Sequence, residues 1–135
     1  MRLIDTCVFI YAAGRNHPMQ DACRRVYRSV LADPSGYTID TEVLREILHL
    51  YRSRDELRRG TEMVWNLLQL FPSPIPISRM EIEVAVDLLR SFPQLCARDA
   101  IHAAVVQTHR LHGIVSVDHD FDAVDTLQRL DPEQL

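Results

Sequence analysis

Short apolar segments separated by much longer amphipathic ones constrain the fold of this sequence more than any other feature. The short segments are bounded by turn residues and predict β-strands over 2–4, 37–39, 75–77 and 114–117. Because helical segments separate them, the strands should be parallel and joined by crossovers. The alternation therefore predicts an α/β fold: a three-layer α/β/α sandwich around a short, mostly parallel sheet.

The longer segments predict helices from the spacing of their apolar residues and from the residues that flank them. Their predicted spans are 6–13, 19–32, 41–52, 55–71, 79–91 and 97–111. Asp5 is placed to cap the first helix and Ser78 to cap the fifth, while either Asp40 or Thr41 opens the third. The last helix is apolar on nearly every face, which predicts that it is buried and that Gly113 suits its C-terminus.

The composition is typical of a globular domain, and we expect residues 1–135 to form one domain. The chain is 47% hydrophobic and 25% charged, with a formal net charge of -4. This charge argues against binding of nucleic acid through overall positive charge, but it permits a local basic patch. All 15 basic residues are arginine, and the absence of lysine argues against a P-loop NTPase or a receiver domain.

The cysteines predict neither a disulfide framework nor a zinc site. Cys7, Cys23 and Cys96 are odd in number, widely spaced and without a C-x-x-C pair. We expect three free thiols in a reducing compartment, which places the chain in the cytoplasm. No segment approaches the roughly 18 apolar residues of a membrane helix, and Asp5 interrupts the apolar N-terminal stretch. We therefore expect neither a membrane span nor an export signal.

Four acids are placed to meet at one end of the predicted sheet. Asp5 and Asp118 each follow a predicted strand directly, and ligands of open α/β sheets bind beyond the carboxyl ends of the strands. Glu46 lies on the apolar face of its helix, and Asp99 lies in the first turn of the buried helix. Carboxylates brought together repel each other unless a cation neutralises them, and their hard oxygen ligands suit Mg²⁺ or Mn²⁺.

Each of these acids also has a structural interpretation when it is considered alone. Asp5 and Asp99 suit helix N-termini, where the macrodipole favours negative charge, and Asp118 suits a turn or a cap. Glu46 could be a carboxylate at the rim of a cleft, paired with an arginine. Their joint placement is what favours a shared site.

Four segments of the chain together resemble PIN-domain proteins, specifically the VapC-like toxins of bacterial toxin–antitoxin pairs. They are R-L-I-D-T-C-V-F-I-Y-A, T-E-V-L-R-E-I-L-H, A-R-D-A-I-H-A-A and S-V-D-H-D-F-D. Their order and spacing both agree with the family, and the resemblance extends over essentially the whole chain. It therefore implies a PIN-like fold throughout.

The resemblance implies a toxin that acts as a metal-dependent endoribonuclease, with the family's four acids on Asp5, Glu46, Asp99 and Asp118. RNA phosphodiester bonds would be hydrolysed by a water that Mg²⁺ or Mn²⁺ activates. Asp5 and Asp99 would be the principal metal ligands. Asp118 and Glu46 would bind the metal, directly or through water, or orient the nucleophile.

Further residues are assigned to the neighbourhood of this site. Thr6 and Ser116 match the small hydroxyl positions of the family, and Asp120 is a possible additional metal ligand. Glu42 precedes Glu46 by one helical turn and could approach the same cleft. It also suits the dipole-stabilised first turn of its helix, so Glu46 is favoured.

The resemblance also implies partners. These are an RNA substrate, a second copy of the chain in a homodimer, and a cognate VapB-like antitoxin whose C-terminal segment lies along an apolar groove between the early helices. The alternative is a non-catalytic PIN-like scaffold that binds RNA or protein without cutting it. Retention of all four acids argues against that alternative.

The sequence leaves the roles of two features open. His102 follows Asp99 on the same helical face, so it either donates to a carboxylate or packs in the core. A basic cluster could hold RNA phosphates, meet a partner's acids, or form a solvated helix face; it consists of Arg52, Arg54, Arg58 and Arg59.

Overall fold

A four-stranded parallel sheet lies at the centre of the computed structural model, which describes all 135 residues. The strands are β1 (Arg2–Ile4), β2 (Tyr37–Thr38), β3 (Ile114–Val115) and β4 (Arg129–Leu130). Their order is β2-β1-β3-β4, and all pairings are parallel. The parallel sheet was predicted. The edge strand β4 was not, because an Arg-Leu pair carries no apolar run that would indicate a strand.

Six α-helices surround the sheet, as predicted. They are α1 (Thr6–Ala13), α2 (Gln20–Ala32), α3 (Thr41–Ser53), α4 (Leu57–Leu70), α5 (Arg79–Ser91) and α6 (Ala97–Thr108). Their ends differ from the predicted ones by three residues or fewer. None of them is both long and apolar enough to cross a membrane.

Two apolar cores lie on opposite faces of the sheet. Successive residues of a strand point to opposite faces, and β1 accordingly sends Leu3 into a core with α5 and α6, and Ile4 into a core with α1, α2, α3 and α4. In β3, Ile114 and Val115 divide between the same two cores. Helices thus cover both faces, which confirms the three-layer α/β/α sandwich.

The ends of α1 and α5 show one wrong and one confirmed capping prediction. Asp5 occupies the N-cap position of α1, but its side chain makes no capping hydrogen bond. Its carboxylate instead accepts hydrogen bonds from Ser116 and Cys7, so the predicted cap is wrong. At α5, Ser78 and Glu81 form a reciprocal capping box, which confirms the cap at Ser78.

The prediction that Gly113 ends the last helix is wrong. Helix α6 ends at Thr108, and Arg110 adopts the left-handed conformation (φ 51°) in the turn that follows. Gly113 lies just before β3 with φ 139°. A Cβ at this position would lie 2.4 Å from the backbone oxygen of Gln128. Glycine is therefore needed for the close approach of the segment before β4.

Three predicted strands are shorter than expected. Strand β2 ends at Thr38, one residue earlier than predicted. Within 75–77, only Ile75 pairs with the sheet, through an isolated parallel bridge to Asp40. Strand β3 stops at Val115, two residues earlier than predicted, although the Ser116 N–H still donates to the oxygen of Leu130. Asp118 therefore belongs to the loop beyond the strand and does not follow it directly.

Candidate active site

A cleft opens at the carboxyl ends of β1 and β3, the two central strands. The chain leaves β1 towards β2 on one side of the sheet and leaves β3 towards β4 on the other, so the strand order reverses between them. Such a reversal leaves a crevice in which ligands of open α/β sheets bind. The cleft has a volume of about 610 Å³, and all four predicted acids line it: Asp5, Glu46, Asp99 and Asp118.

Ser116 links the acids that follow the two central strands. Its Oγ donates to Asp5 Oδ2 at 2.5 Å and accepts from the Asp118 N–H at 3.0 Å. Cys7 also donates to Asp5 Oδ2, from Sγ at 3.1 Å. The buried hydroxyl of Thr6, beside Asp5 in the cleft wall, has no hydrogen-bond partner. Asp5 is thus held in place, and one polar group of the cleft is unsatisfied.

His102 is completely buried and connects three carboxylates behind the cleft. Its Nδ1 lies 2.7 Å from Asp40 Oδ2, and its Nε2 lies 2.9 Å from Glu46 Oε1 and 3.8 Å from Asp5 Oδ1. Burial alone would lower the pKa of His102, but the charge of Asp40 and the hydrogen bonds to Asp40 and Glu46 raise it well above its ordinary value. Both alternatives for His102 hold, because it packs in the core and contacts carboxylates.

Asp40 was expected only as a helix opener, and its second role was missed. Its Oδ1 caps α3 by accepting from the Val43 N–H at 3.0 Å, while its Oδ2 faces His102. Asp40, like Asp5, directly follows a predicted strand, and this shared position could have revealed its role in the site.

Asp99, Asp118 and Asp120 form the tightest group of acids in the molecule. One carboxylate oxygen from each lies within 4.8 Å of the others, and Asp118 Oδ1 also accepts from the Asp120 N–H at 2.9 Å. Burial raises the pKa of Asp99 to about 6; a hydrogen bond from Cys96 opposes this rise, and the charges of Asp118 and Asp5 add to it. Asp120, which we expected only as an additional ligand, therefore lies with two of the four predicted acids.

The two glutamates of α3 differ in their surroundings. Glu46 lines the cleft, where Arg98 Nη1 approaches its Oε2 at 3.8 Å. Glu42 accepts from both Arg45 Nε and Arg45 Nη2 and does not line the cleft. Arg98 and Arg54 also line the cleft, so two guanidinium groups face the four acids.

The chemistry of this side-chain set suits a hard divalent cation. Three carboxylates lie close enough to share one ion, the raised pKa of Asp99 shows that its charged form is poorly compensated, and the Thr6 hydroxyl lacks a partner. Carboxylate and hydroxyl oxygens are the ligands that Mg²⁺ and Mn²⁺ prefer. The residues present therefore fit such an ion.

Comparison with known proteins decides the family. The model of the PIN domain matches residues 2–127. The chain belongs to the PIN-domain family. Ribonuclease VapC13 of Mycobacterium tuberculosis is 31% identical to it over 133 residues, which cover 96% of this chain and 99% of that relative. This PIN domain therefore belongs with the VapC ribonucleases, and the resemblance noted in the sequence is confirmed.

Solved structures share the fold of this PIN domain. FitAcB from Neisseria gonorrhoeae has a TM-score of 0.77 at 20% sequence identity, and a toxin–antitoxin complex from Klebsiella pneumoniae has a TM-score of 0.70 at 24% identity. Both matches cover 100% of each chain. At these identities, the likeness supports the fold alone.

One residue that supports this PIN-domain site was missed in the sequence. Arg129 of β4 donates from Nη1 to the backbone oxygen of Ser116 at 3.0 Å and from Nε to Asp122 Oδ1 at 2.8 Å. These bonds hold the loop that carries Asp118 and Asp120 against the sheet. Because β4 itself was not predicted, no sequence pattern indicated this contact.

Proposed function

We propose that this chain is the toxin of a toxin–antitoxin pair and hydrolyses RNA phosphodiester bonds with the help of Mg²⁺ or Mn²⁺. The observation that carries the proposal is the convergence of Asp5, Glu46, Asp99 and Asp118 on one cleft at the point where the strand order reverses. Similarity to the VapC ribonucleases supports it. We further propose that residues 1–135 form a single PIN domain and that the chain acts in the cytoplasm, where its three free cysteines would stay reduced.

Each acid has a proposed role. Asp5, Asp99 and Asp118 hold the cation, with Asp120 as a further ligand from the same loop, and Glu46 binds through water or orients the attacking water. A divalent cation bound there supplies neutralisation of the carboxylates and Lewis-acid activation of water and phosphate. The short distances among Asp99, Asp118 and Asp120 support the assignment of these three acids, while Asp5 lines the same cleft but lies outside that group.

The neighbouring residues position these acids. Ser116 holds Asp5 and the start of the Asp118 loop in one arrangement. His102 holds Glu46 by its Oε1 atom, while Arg98 approaches Oε2.

The proposal is tested with the purified chain and a labelled single-stranded RNA. We expect cleavage with Mg²⁺ or Mn²⁺, none with chelator, and a loss of more than about a hundredfold for Asp5→Asn and Asp99→Asn, since losing even an outer partner of a metal ligand costs about ten- to a hundredfold. Glu46→Gln should also lose activity, whereas Glu42→Gln, one turn away and paired with Arg45, should keep it. Cleavage that survives chelator and both aspartate substitutions would refute the proposal. RNA binding without cleavage would favour the scaffold.

We also propose a VapB-like antitoxin and a homodimer. An apolar groove between α1, α2 and α4 supports the antitoxin: it is lined by Phe9, Ala12, Tyr27 and Met63, with Glu62 at its edge. The exposed apolar residues Ile82 and Val86, one turn apart on α5, support a protein–protein contact. Light scattering of the chain alone tests the homodimer. Co-purification with the product of the neighbouring gene tests the antitoxin.

A further inference from the structure

A second cleft opens from the acidic one and is basic. The two clefts share Ile10, Tyr11 and Arg54 in their walls and are therefore continuous. The second cleft has a volume of about 530 Å³ and is also lined by Arg15 and Arg59, while Glu56 is its one carboxylate. Three guanidinium groups thus line the cleft that adjoins the four acids.

Two of these arginines have no internal partner. Arg15 and Arg54 are exposed, and neither side chain forms an ion pair or a hydrogen bond within the protein. Arg59 lies 3.5 Å from Glu56 and donates to the backbone oxygen of Ala13. Arg15 and Arg54 are therefore free to bind an anion, and the planar guanidinium group suits a phosphate.

The structure divides the basic cluster of residues 52–59. Arg54 and Arg59 line the second cleft, whereas Arg52 and Arg58 line neither cleft. Arg58 is exposed and paired with Glu62. The sequence left three interpretations of this cluster open, and a solvated helix face fits Arg52 and Arg58. Arg54 and Arg59 line a cleft, so one of the other two interpretations, contact with RNA phosphates or with a partner's acids, applies to them.

A stacked aromatic pair also lines the second cleft. The rings of Tyr11 and His17 are stacked, with centroids 4.0 Å apart and planes 8° apart. The Met19 N–H donates to His17 Nδ1 at 3.1 Å, which fixes the orientation of the imidazole. His17 is exposed and lines the second cleft, so its ring is accessible to a further planar group. Aromatic rings presented in this way stack on nucleic-acid bases of any sequence.

We propose that this basic cleft binds the stretch of single-stranded RNA next to the bond that is cut, with Arg15 and Arg54 on its phosphates and a base stacked on His17. The inference rests on the proposed ribonuclease function. Four carboxylates repel a polyanion, so the strand must be attracted by groups beside the acidic cleft. Only in the shared wall at Tyr11 and Arg54 does the acidic cleft continue into a basic one. Guanidinium groups with an aromatic platform are the usual means of binding a single strand.

The test measures binding separately from cleavage. The full chain carries Asp5→Asn to prevent cleavage, and fluorescence anisotropy follows a labelled oligouridylate about ten nucleotides long, within the site sizes known for single-strand grooves. Arg15→Gln with Arg54→Gln is compared with Arg28→Gln with Arg52→Gln. All four arginines are exposed and without an internal ion pair, so the two double variants remove equal charge. Equal unfolding midpoints check that both variants fold.

We expect the cleft pair to weaken binding by about tenfold or more and the control pair by less than about threefold. The slope of log K against the logarithm of the salt concentration should become shallower by about 1.4 for the cleft pair. Each phosphate contact on a single strand contributes about 0.7 to this slope, and two contacts are lost. His17→Ala should cost about fivefold or more through lost stacking. Arg54→Lys, which keeps the charge, should keep the salt slope.

Any of three results would overturn the proposal: equal weakening of binding by the two double variants, an unchanged salt slope for the cleft pair, or no binding of oligouridylate by the Asp5→Asn chain. Cleavage by the unmodified chain is measured in parallel, so the two failures can be told apart. A chain that binds through the cleft but never cuts RNA would refute the proposed function alone. A chain that cuts RNA but binds equally well in both double variants would refute the basic cleft alone.

Discussion

Two acids near opposite ends of α6 have opposite electrostatic environments. Glu81 of α5, beside the last turn of α6, accepts hydrogen bonds from Ser78, Thr108 and His109, and the bonds from Ser78 are the main reason that its pKa falls to about 2. Asp99, in the first turn of α6, is surrounded by other acids, and burial together with their charges raises its pKa to about 6. The same functional group is stabilised as an anion at one end and destabilised at the other.

The difference separates a structural carboxylate from a functional one. Donors from three residues satisfy Glu81, so nothing further is needed to keep it charged. Asp99 lacks such a set of donors, because only a hydrogen bond from Cys96 stabilises its charge while Asp118 and Asp5 repel it. The structure tolerates this repulsion because other parts of the fold hold the acids in place. Unfavourable arrangements of this kind are typical of functional sites, where a ligand supplies the missing compensation.

The largest expected effect concerns His102, which is the only donor to Asp40 Oδ2. Asp40 is therefore, like Glu81, a buried carboxylate whose charge is stabilised by donors from the protein. His102→Leu should lower the free energy of unfolding by about 3–5 kcal/mol, because Asp40 would become a buried charge without its cationic partner. Urea unfolding measures this loss. Adding Asp40→Asn to His102→Leu should restore part of it.

The matched control is His49→Leu on the exposed side of α3, which should change stability by less than about 0.5 kcal/mol. A loss for His102→Leu as small as that of the control would mean that Asp40 does not depend on His102, and the comparison with Glu81 would not extend to it.

The Glu81 end of the comparison predicts a smaller effect that depends on pH. Because the pKa of Glu81 is about 2 in the folded protein against an ordinary value of 4.5, its contribution to stability is fully present above about pH 4.5 and is lost as the pH falls towards 2. Glu81→Gln should therefore lower the free energy of unfolding by about 2 kcal/mol at pH 7 and by much less at pH 2.5.

Glu83→Gln, two residues along α5 and exposed, is the control for this change and should have little effect at either pH. Urea unfolding of both variants at the two pH values provides the measurement. An equal loss for Glu81→Gln at pH 7 and pH 2.5 would show that its role is not electrostatic.

Contacts between residues close together in the chain were predictable from the sequence, and contacts between distant residues were not. The cap of α5 at Ser78 was predicted because it is local, and the convergence of Asp5 with Asp118 was predicted because parallel strands end at one edge of the sheet. The contacts of Glu81 with α6 and of His102 with Asp40 join residues far apart in the chain. No periodicity indicates such pairs.

The unpredicted strand β4 has a similar cause. Only two residues form it, and its pairing with β3 depends on the close approach that Gly113 permits. Without β4, the role of Arg129 in holding the loop of Asp118 and Asp120 was hidden as well. Positions of the acids along the chain therefore indicated the site, while the groups that hold them in place emerged only from the fold.

The smallest expected effect tests the Asp99 end directly. Because the pKa of Asp99 is raised to about 6 from 3.8, its contribution favours the folded state below about pH 3.8 and is lost as the pH rises through 6. Asp99→Asn should therefore stabilise the metal-free chain at pH 7, by about 1 kcal/mol after allowance for its partial exposure.

Mg²⁺ at ten times its dissociation constant should stabilise the unmodified chain by about 1.4 kcal/mol, and Asp99→Asn should remove most of that gain. Thermal unfolding with and without Mg²⁺ measures both effects, with the exposed Asp125→Asn as the control. If Asp99→Asn instead destabilises the metal-free chain as Glu81→Gln does, both acids are structural, and the contrast between the two ends of α6 fails.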